Sequence, residues 1–246
     1  MKADHADQQK LLDLAAEDVA LAQLTHRRNS LPEAAAVETA AAAERGFAEE
    51  MVRAETEVHD LEREVKRLES DVDTVRQRAA RDQQRLDAGG VVAREVTALQ
   101  HEMQSLARRQ SDLEDQELEL MERLEAAEAA LTAAREGHEK AREELTRAEQ
   151  LRDDALADLA DGITRHDAVR GEVAGALPAP LLSLYERIRT QTGTTGAALL
   201  KARQCQGCRI ELFGKELAEV RGADPAEVVR CDNCGRILVR TAESGL

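Results

Sequence analysis

Aromatic residues are nearly absent from this sequence. Its 246 residues include two Phe, one Tyr and no Trp, so aromatics make up 1% of the chain. A globular core of matching size would need more bulky side chains, whereas long helices need only a narrow apolar seam. The composition therefore predicts a mainly α protein built from long helices.

Long apolar runs are absent as well. No stretch reaches the roughly 18 consecutive apolar residues expected of a membrane-spanning helix, and the N-terminal residues Met1-Lys2-Ala3-Asp4-His5 do not begin an apolar signal segment. We therefore expect a cytoplasmic protein that makes no membrane contact, in a reducing compartment where disulfides are rare.

Negative charge exceeds positive charge outside the C-terminal end. The formal net charge is −15. Residues 201–246 carry eight Lys or Arg against seven Asp or Glu, a formal +1, which leaves −16 on residues 1–200. Nucleic-acid affinity is built largely from neutralised phosphates, so the long acidic region is a poor phosphate binder. Any nucleic-acid contact is expected on the C-terminal end.

All four cysteines lie in that C-terminal end, as two C-x-x-C pairs. Cys205 and Cys208 precede Cys231 and Cys234, with 22 residues between the pairs. Two such turns can bring four thiolates around one ion, which is the arrangement of a structural Zn²⁺ site. Iron in the same cage and disulfide pairing are the alternatives, and the expected reducing compartment disfavours disulfides.

The rest of the chain shows the apolar periodicity of long helices. Helices are predicted over about 5–28, 32–87 and 91–172, with alternating three- and four-residue apolar steps in the last two. Pro32 suits a first helical turn, and Gly89-Gly90 releases the backbone for a reversal. The sequence therefore predicts a long antiparallel coiled-coil hairpin over residues 1–175, with its turn near 87–90.

A constant pairing register can be written for this hairpin. It places Val58 opposite Leu120 and Phe47 opposite Leu131, and it sets His138 against Ala40. The same register sets Leu61 against Glu117, and that layer is expected to be looser than the apolar ones. His138 is interpreted as a structural seam residue rather than a metal ligand.

Three smaller segments follow the hairpin. Residues 176–196 are predicted to form a connecting helix, at 180–190, and a hinge. Residues 197–246 are predicted to form the C4 zinc ribbon. Its strands are expected at 197–204, 209–212, 228–230 and 236–240, with a helical insert at 214–221.

Catalytic motifs are missing from the sequence, so we expect a protein that is not an enzyme: no His-Glu-x-x-His, P-loop or Gly-x-Ser-x-Gly pattern occurs. A closed four-sulfur site also leaves no position at which to activate water. Arginines of the ribbon could instead form a phosphate-binding face. These candidate nucleic-acid residues are Arg203, Arg209, Arg230, Arg236 and Arg240.

Several stretches together resemble a bacterial family with an N-terminal coiled-coil hairpin and a C4-type zinc ribbon. They are Cys205-Gln206-Gly207-Cys208, Cys231-Asp232-Asn233-Cys234-Gly235-Arg236-Ile237-Leu238, the segment 182–189, and Glu95-Val96-Thr97-Ala98-Leu99. Asp232 stands where members commonly have proline, and Val96 where an aromatic is common. The resemblance implies a transcription-linked adaptor, because characterised members in flagellated or intracellular bacteria bind the alternative sigma factor of RNA polymerase and, in one case, messenger RNA.

The sequence thus leaves three functional hypotheses. The first is a non-enzymatic zinc-binding adaptor that binds protein, such as RNA polymerase or a sigma factor, through the coiled coil, with nucleic acid as a candidate ligand of the ribbon. The second is an RNA polymerase secondary-channel regulator, suggested by Asp82 and Asp87 near the hairpin tip. The third is a purely structural coiled-coil scaffold. The expected state is a monomer or a weak homodimer.

Overall fold

The computed structural model describes residues 1–90 and 92–246, and it confirms a mainly α protein. Val91, where the third helix was predicted to begin, lies outside the described residues. The helices are α1 (His5–Asn29), α2 (Pro32–Asp87), α3 (Ala93–Gly175), α4 (Ala179–Thr192) and α5 (Gly214–Gly222). The strands are β1 (Ala197–Lys201), β2 (Gln204–Cys205) and β3 (Ile237–Val239), followed by a 3₁₀ turn at Ala242–Ser244.

The chain divides into two compact units. The hairpin unit comprises Ala34–Gln150, and the ribbon unit combines Met1–Glu33 with Leu151–Leu246. Among the helices of residues 1–90 and 92–246, none has the length and apolar character needed to cross a membrane.

Antiparallel pairing of α2 and α3 builds the hairpin unit. Near the tip, Arg85 Nη2 lies 3.2 Å from Glu95 Oε1, and farther along Arg76 Nη2 lies 2.7 Å from Glu114 Oε1. Gly89 and Gly90 have φ of 71° and 82°, left-handed values that favour glycine, so they form the predicted turn. Apolar layers of the seam then bury a core that contains Val58, Leu61, Ala127 and Leu131.

The predicted register is wrong over part of this seam. His138 Nε2 lies 3.0 Å from Glu44 Oε1, about one helical turn from the predicted partner Ala40. A Cβ on Gly137 would lie 3.0 Å from the Phe47 ring, so Phe47 packs on Gly137, whereas the predicted partner was Leu131. Leu61 is 4% exposed, so its layer is not loose. The missing side chain of Gly137 gives the phenyl ring a space that an apolar pattern does not reveal.

One apolar core joins the helices and the sheet of the ribbon unit. Leu11 and Leu14 of α1 pack in one cluster with Tyr185 of α4 and with Ile237 and Val239 of β3. The short helix α4 therefore packs with α1 and the ribbon strands in a single core. Residues that precede α1 also pair with the ribbon, because Lys2 forms an antiparallel bridge with Glu227.

The ribbon sheet has three strands in the order β2-β1-β3. Strand β1 pairs antiparallel with β2 and parallel with β3. The strand predicted at 197–204 is split, because Ala202 and Arg203 adopt positive φ of 44° and 63°. Within the described residues, the strands predicted at 209–212 and 228–230 are reduced to single bridges, Gln204–Glu211 and Arg230–Ile237.

Candidate metal centre

The four cysteines converge in the ribbon unit. The Cys205 and Cys234 sulfurs lie 3.9 Å apart, and those of Cys208 and Cys231 lie 3.8 Å apart. All four sulfur atoms lie within 4.8 Å of one another. The two C-x-x-C turns therefore contribute to a single cluster, as their spacing predicted.

These separations match tetrahedral metal binding. Zn–S bonds of about 2.3 Å in a tetrahedron require sulfur–sulfur distances of about 3.8 Å. Disulfide sulfurs lie about 2.05 Å apart, so the cysteines are not paired in that way. The cluster fits one structural Zn²⁺, which would tie the two turns together and fill its coordination with protein sulfur.

Each cysteine pair occupies a tight turn of the same kind. The Arg209 N–H donates to the Cys205 carbonyl over 2.7 Å, and the Gly235 N–H donates to the Cys231 carbonyl over 2.8 Å. Gly235 has φ of 72° and Arg209 has φ of 61°, so glycine favours the left-handed position in the second turn, whereas arginine adopts it in the first.

Gly207 is required by close packing rather than by its φ angle. A Cβ at this position would lie 2.8 Å from Arg236 Cδ and 3.0 Å from the Ala198 Cβ. The first turn can therefore approach β1 and the second turn only without a side chain here.

Burial and hydrogen bonds shift the pKa values of the thiols in different directions. Burial raises the pKa of Cys205 and raises the pKa of Cys231 to about 12, although backbone N–H groups within each turn oppose the effect. Burial also raises the pKa of Cys234, but hydrogen bonds from the backbone and side chain of Arg236 outweigh it and lower the value to about 7. Metal binding requires thiolates, so zinc must displace protons from the two buried cysteines.

The metal cluster belongs to a small apolar core. Cys205 and Cys231 are buried with Leu200, Leu212 and Leu238. The two buried cysteines therefore pack against β1, against β3 and against the segment before α5, which supply these three leucines. Because this core has few apolar side chains, metal binding and folding of the ribbon are expected to be coupled.

The arginines proposed for phosphate binding occupy different environments. Arg203, Arg209 and Arg230 are exposed. The Arg230 Nε–H donates to the Gly235 carbonyl over 2.8 Å, so this side chain also supports the second cysteine turn. Arg236 is half-buried and donates from Nε to the carbonyl and hydroxyl oxygens of Thr195.

Arg240 does not belong with the arginines predicted to bind nucleic acid, because it is buried. The residue is 9% exposed, and its guanidinium donates to backbone carbonyls after α5 and at its end. The acceptors are the carbonyl oxygens of Val220, Ala223, Asp224, Pro225 and Glu227, at 2.7–3.3 Å. Its donors are thus used inside the fold, and a phosphate cannot reach them.

A buried charged network escaped the sequence analysis. The Asp18 side chain is fully buried and accepts from the Tyr185 hydroxyl over 2.5 Å and from Arg170 Nε over 2.7 Å. Arg189 Nε lies 2.8 Å from Asp18 Oδ1 and forms an ion pair with it. Burial and then the Asp18 hydrogen bond raise the pKa of Tyr185. Burial lowers the pKa of Arg170, but its hydrogen bonds to Asp18 and Glu186 raise the pKa by more, so the net shift is upward.

A weak sequence signal marks this network. Asp18 continues the helical stripe of Leu11, Leu14 and Ala15, where an apolar residue is expected. A carboxylate in an apolar stripe indicates a buried partner. The sequence gives no means of identifying Tyr185 and Arg170, which are distant along the chain.

Family models match most of the chain. Residues 14–193 match the CT398-like coiled coil hairpin domain, and residues 204–238 match the C4-type zinc ribbon domain. The second match contains all four cysteines, in agreement with one structural Zn²⁺.

Similar sequences cover nearly the full length. An uncharacterized protein of Mycobacterium tuberculosis is 39% identical over 240 residues, which is 98% of each chain. An uncharacterized protein of Mycobacterium leprae is 32% identical and covers 89% of this chain and 94% of its own.

Solved structures agree with the fold. A structure from Mycobacterium smegmatis is 36% identical, with a TM-score of 0.83, covering 98% of this chain and 100% of its own. The structure of CT398 from Chlamydia trachomatis shares the fold at 20% identity, with a TM-score of 0.63 over 95% of this chain and 97% of its own. The chain therefore belongs to the family of the CT398-like coiled coil hairpin domain and carries a C4-type zinc ribbon domain.

Proposed function

We propose that this protein is a non-enzymatic zinc-binding adaptor whose coiled-coil hairpin binds a protein partner. The observation that carries the proposal is the closed cluster of Cys205, Cys208, Cys231 and Cys234. When all four positions of a tetrahedral ion are protein sulfur, the metal supports a fold and has no site for a substrate. In this proposal the four cysteines are the zinc ligands.

The hairpin supports the binding role. Helices α2 and α3 extend over 56 and 83 residues, and most of their side chains are exposed. Such a pair of helices offers a long surface while burying only a narrow seam. A surface of this kind suits contact with another macromolecule better than binding of a small molecule, which requires a concave pocket.

The transcription link rests on the family resemblance. Characterised members of the family that the sequence resembles bind the alternative sigma factor of RNA polymerase, so we propose RNA polymerase or a sigma factor as the partner and the cytoplasm as the location. Affinity capture on the full-length zinc-loaded chain tests the adaptor function. Enrichment of a transcription protein supports the proposal, and its absence under conditions that preserve one zinc per chain contradicts it.

A secondary-channel regulator is the competing interpretation. It relies on acids near the hairpin tip, but Asp87 Oδ1 already accepts from Gln83 Nε2 over 2.8 Å. Competition with a known secondary-channel factor for purified RNA polymerase separates the two. Displacement would support the channel interpretation, and its absence would favour the adaptor.

Nucleic-acid binding is a second candidate function of the ribbon. It is favoured by Arg203 and Arg209, which are exposed beside the first cysteine turn, and by Phe213, which is 66% exposed. Arginine neutralises phosphate, and an exposed ring can stack on an unpaired base. Arg203→Glu with Arg209→Glu should abolish salt-sensitive RNA binding, whereas binding that is insensitive to salt would contradict this role.

A further inference from the structure

One flank of the hairpin unit carries ion pairs that define its register. Arg76 Nη2 lies 2.7 Å from Glu114 Oε1, and Arg135 Nη2 lies 3.0 Å from Glu55 Oε1. Positions on one flank of a coiled coil recur every seventh residue. Successive steps of seven from Arg76 and Glu114, down α2 and up α3, lead to Glu55 and Arg135. The two ion pairs therefore lie on the same flank, one at each end of a stretch of three heptads.

The two positions between these ion pairs contain no facing cation. The first step places Glu69 opposite Met121, and the second places Glu62 opposite Glu128, with all four residues exposed. In the described part of the chain, Glu69 and Glu128 form no ion pair, and Glu62 approaches only His59, at 3.8 Å. The middle of the flank therefore has carboxylates that form no ion pair with a lysine or arginine of the described residues.

Two large apolar side chains are exposed at the same place. Leu118 is 61% exposed and Met121 is 50% exposed. They are three residues apart on α3, so they share one face of the helix. Adjacent exposed apolar side chains on an otherwise charged surface are typical of an interaction site. Because both side chains lie outside the buried seam, packing of the hairpin core does not explain why these positions are apolar.

We propose that this surface, the acidic flank, docks a cationic amphipathic helix of a partner protein. The inference rests on the proposed adaptor function and identifies the chemistry of its partner. The acidic flank consists of Glu62, Lys66, Glu69, Leu118, Met121, Glu125 and Glu128.

Charge complementarity selects this occupant. Four carboxylates and the ammonium group of Lys66 give the flank a formal charge of −3. Lysines or arginines of a partner helix would pair with the carboxylates while its apolar stripe covers Leu118 and Met121. Nucleic acid and a second copy of this chain, whose net charge is −15, are both repelled.

A designed peptide tests the acidic flank. The probe is a labelled helical peptide of leucine and lysine with apolar residues at i, i+3 and i+4, and fluorescence anisotropy measures its binding to the full zinc-loaded chain. Leu118→Ser with Met121→Ser should weaken binding roughly tenfold or more. Glu69→Gln with Glu128→Gln should weaken binding and reduce its salt dependence.

Matched controls separate the flank from general acidity. Glu64→Gln with Glu119→Gln makes the same charge change on the flank that also contains Arg67 and Arg123, and Val92→Ser removes an apolar side chain that is 68% exposed at the tip. Both control variants should bind like the parent chain. Equal losses in the control and flank variants would overturn the proposal, as would peptide binding that does not saturate.

Two further outcomes are decisive. If sedimentation shows a dimer that Leu118→Ser with Met121→Ser dissociates, the flank is an interface between copies and the proposal fails. If affinity capture recovers a transcription protein equally well with this double variant, the flank assignment fails while the adaptor function stands. Failure of the parent chain to bind any such protein would instead contradict the adaptor function.

Discussion

At the scale of residues, the charges of the ribbon unit are stabilised in two different ways. Asp18 is a buried carboxylate that contacts the Tyr185 hydroxyl and the guanidinium groups of Arg170 and Arg189, and Arg240 is a buried guanidinium surrounded by carbonyls. In both cases hydrogen bonds replace the water lost on burial, and the group left behind would be unsatisfied if its partner were removed. Single substitutions of Asp18 or Arg240 should therefore lower the free energy of unfolding more than substitutions of exposed arginines do.

Tyr185 provides a specific optical signal for one of these groups, because the chain has one Tyr and no Trp. Its pKa is raised by burial and by Asp18, so the folded state keeps a proton that the unfolded chain loses near pH 10. This contribution to stability is present below about pH 10 and is lost as pH rises above it. Tyrosinate absorbance should appear only with alkaline unfolding of the ribbon unit.

The control for this prediction is Tyr185→Phe. The variant lacks the titrating group, so its stability should fall less steeply as pH rises above about 10, as measured by urea unfolding at a series of pH values. Tyrosinate absorbance that develops near pH 10 in the folded protein would show that the hydroxyl is accessible.

Arg240→Met should destabilise the ribbon unit by about 3 kcal/mol or more, since several buried carbonyls would lose their donor. Exposed Arg203→Met should change stability by less than about 0.5 kcal/mol. Urea unfolding followed by tyrosine fluorescence measures both. Similar values for the two variants would mean that the Arg240 contacts do not hold the fold.

At the scale of elements, two glycines within the helices of the hairpin unit have different surroundings. A Cβ on Gly137 would lie 3.0 Å from Phe47, whereas a Cβ on Gly46 would have no neighbour within 4 Å. Both glycines lie within helices, where alanine is intrinsically favoured by about 1 kcal/mol. The same substitution should therefore have different effects at the two sites.

We expect Gly46→Ala to raise the free energy of unfolding of the hairpin unit by up to about 1 kcal/mol. Gly137→Ala should raise it less, because the Phe47 ring must shift, and Gly137→Leu should lower it. Thermal unfolding followed by circular dichroism compares the three. Equal gains at both alanine positions would refute the packing of Phe47 on Gly137.

Much of the element-scale structure could be predicted from the sequence. The helix limits follow from apolar periodicity, Pro32 and Gly89-Gly90, and the metal cluster follows from the cysteine spacing. These features are local or repeat at a short period. The burial of Arg240 and the turn at Ala202 could not be predicted, because carbonyls distant along the chain and the C-terminal residues create them.

The turn at Ala202 shows why such features are hidden. Ala202 and Arg203 adopt positive φ without glycine, and their N–H groups donate to the carbonyls of Glu243 and Ser244 over 2.8 and 2.7 Å. Tertiary hydrogen bonds thus hold a backbone conformation that local preference disfavours. The register at Phe47 was missed for a related reason, since it depends on which residue of α3 lacks a side chain.

At the scale of the whole molecule, zinc and the apolar core of the ribbon unit should act together. Cys234→Ser should release zinc and unfold the ribbon, while most of the helical circular dichroism persists because the hairpin unit has its own core. Tyrosine fluorescence should change in the same transition, since Tyr185 shares a cluster with Ile237 and Val239.

Zinc content and both spectra would be measured on the same samples, with Asn233→Ser as a control that leaves the four sulfurs in place. A large loss of helix in Cys234→Ser would contradict the separate stability of the hairpin unit. An unchanged tyrosine signal would instead show that the ribbon unfolds without disturbing α4.

The backbone at Gly89 and Gly90 is the covalent link between the α1–α2 half of the chain and the half that follows. The α1–α2 half of the chain also meets the other half through the core of each unit, at Leu61 in one and at Leu11 in the other. A chain severed at the glycines would yield two polypeptides able to reassemble by complementation, so the protein offers a natural split point for a genetically encoded association reporter.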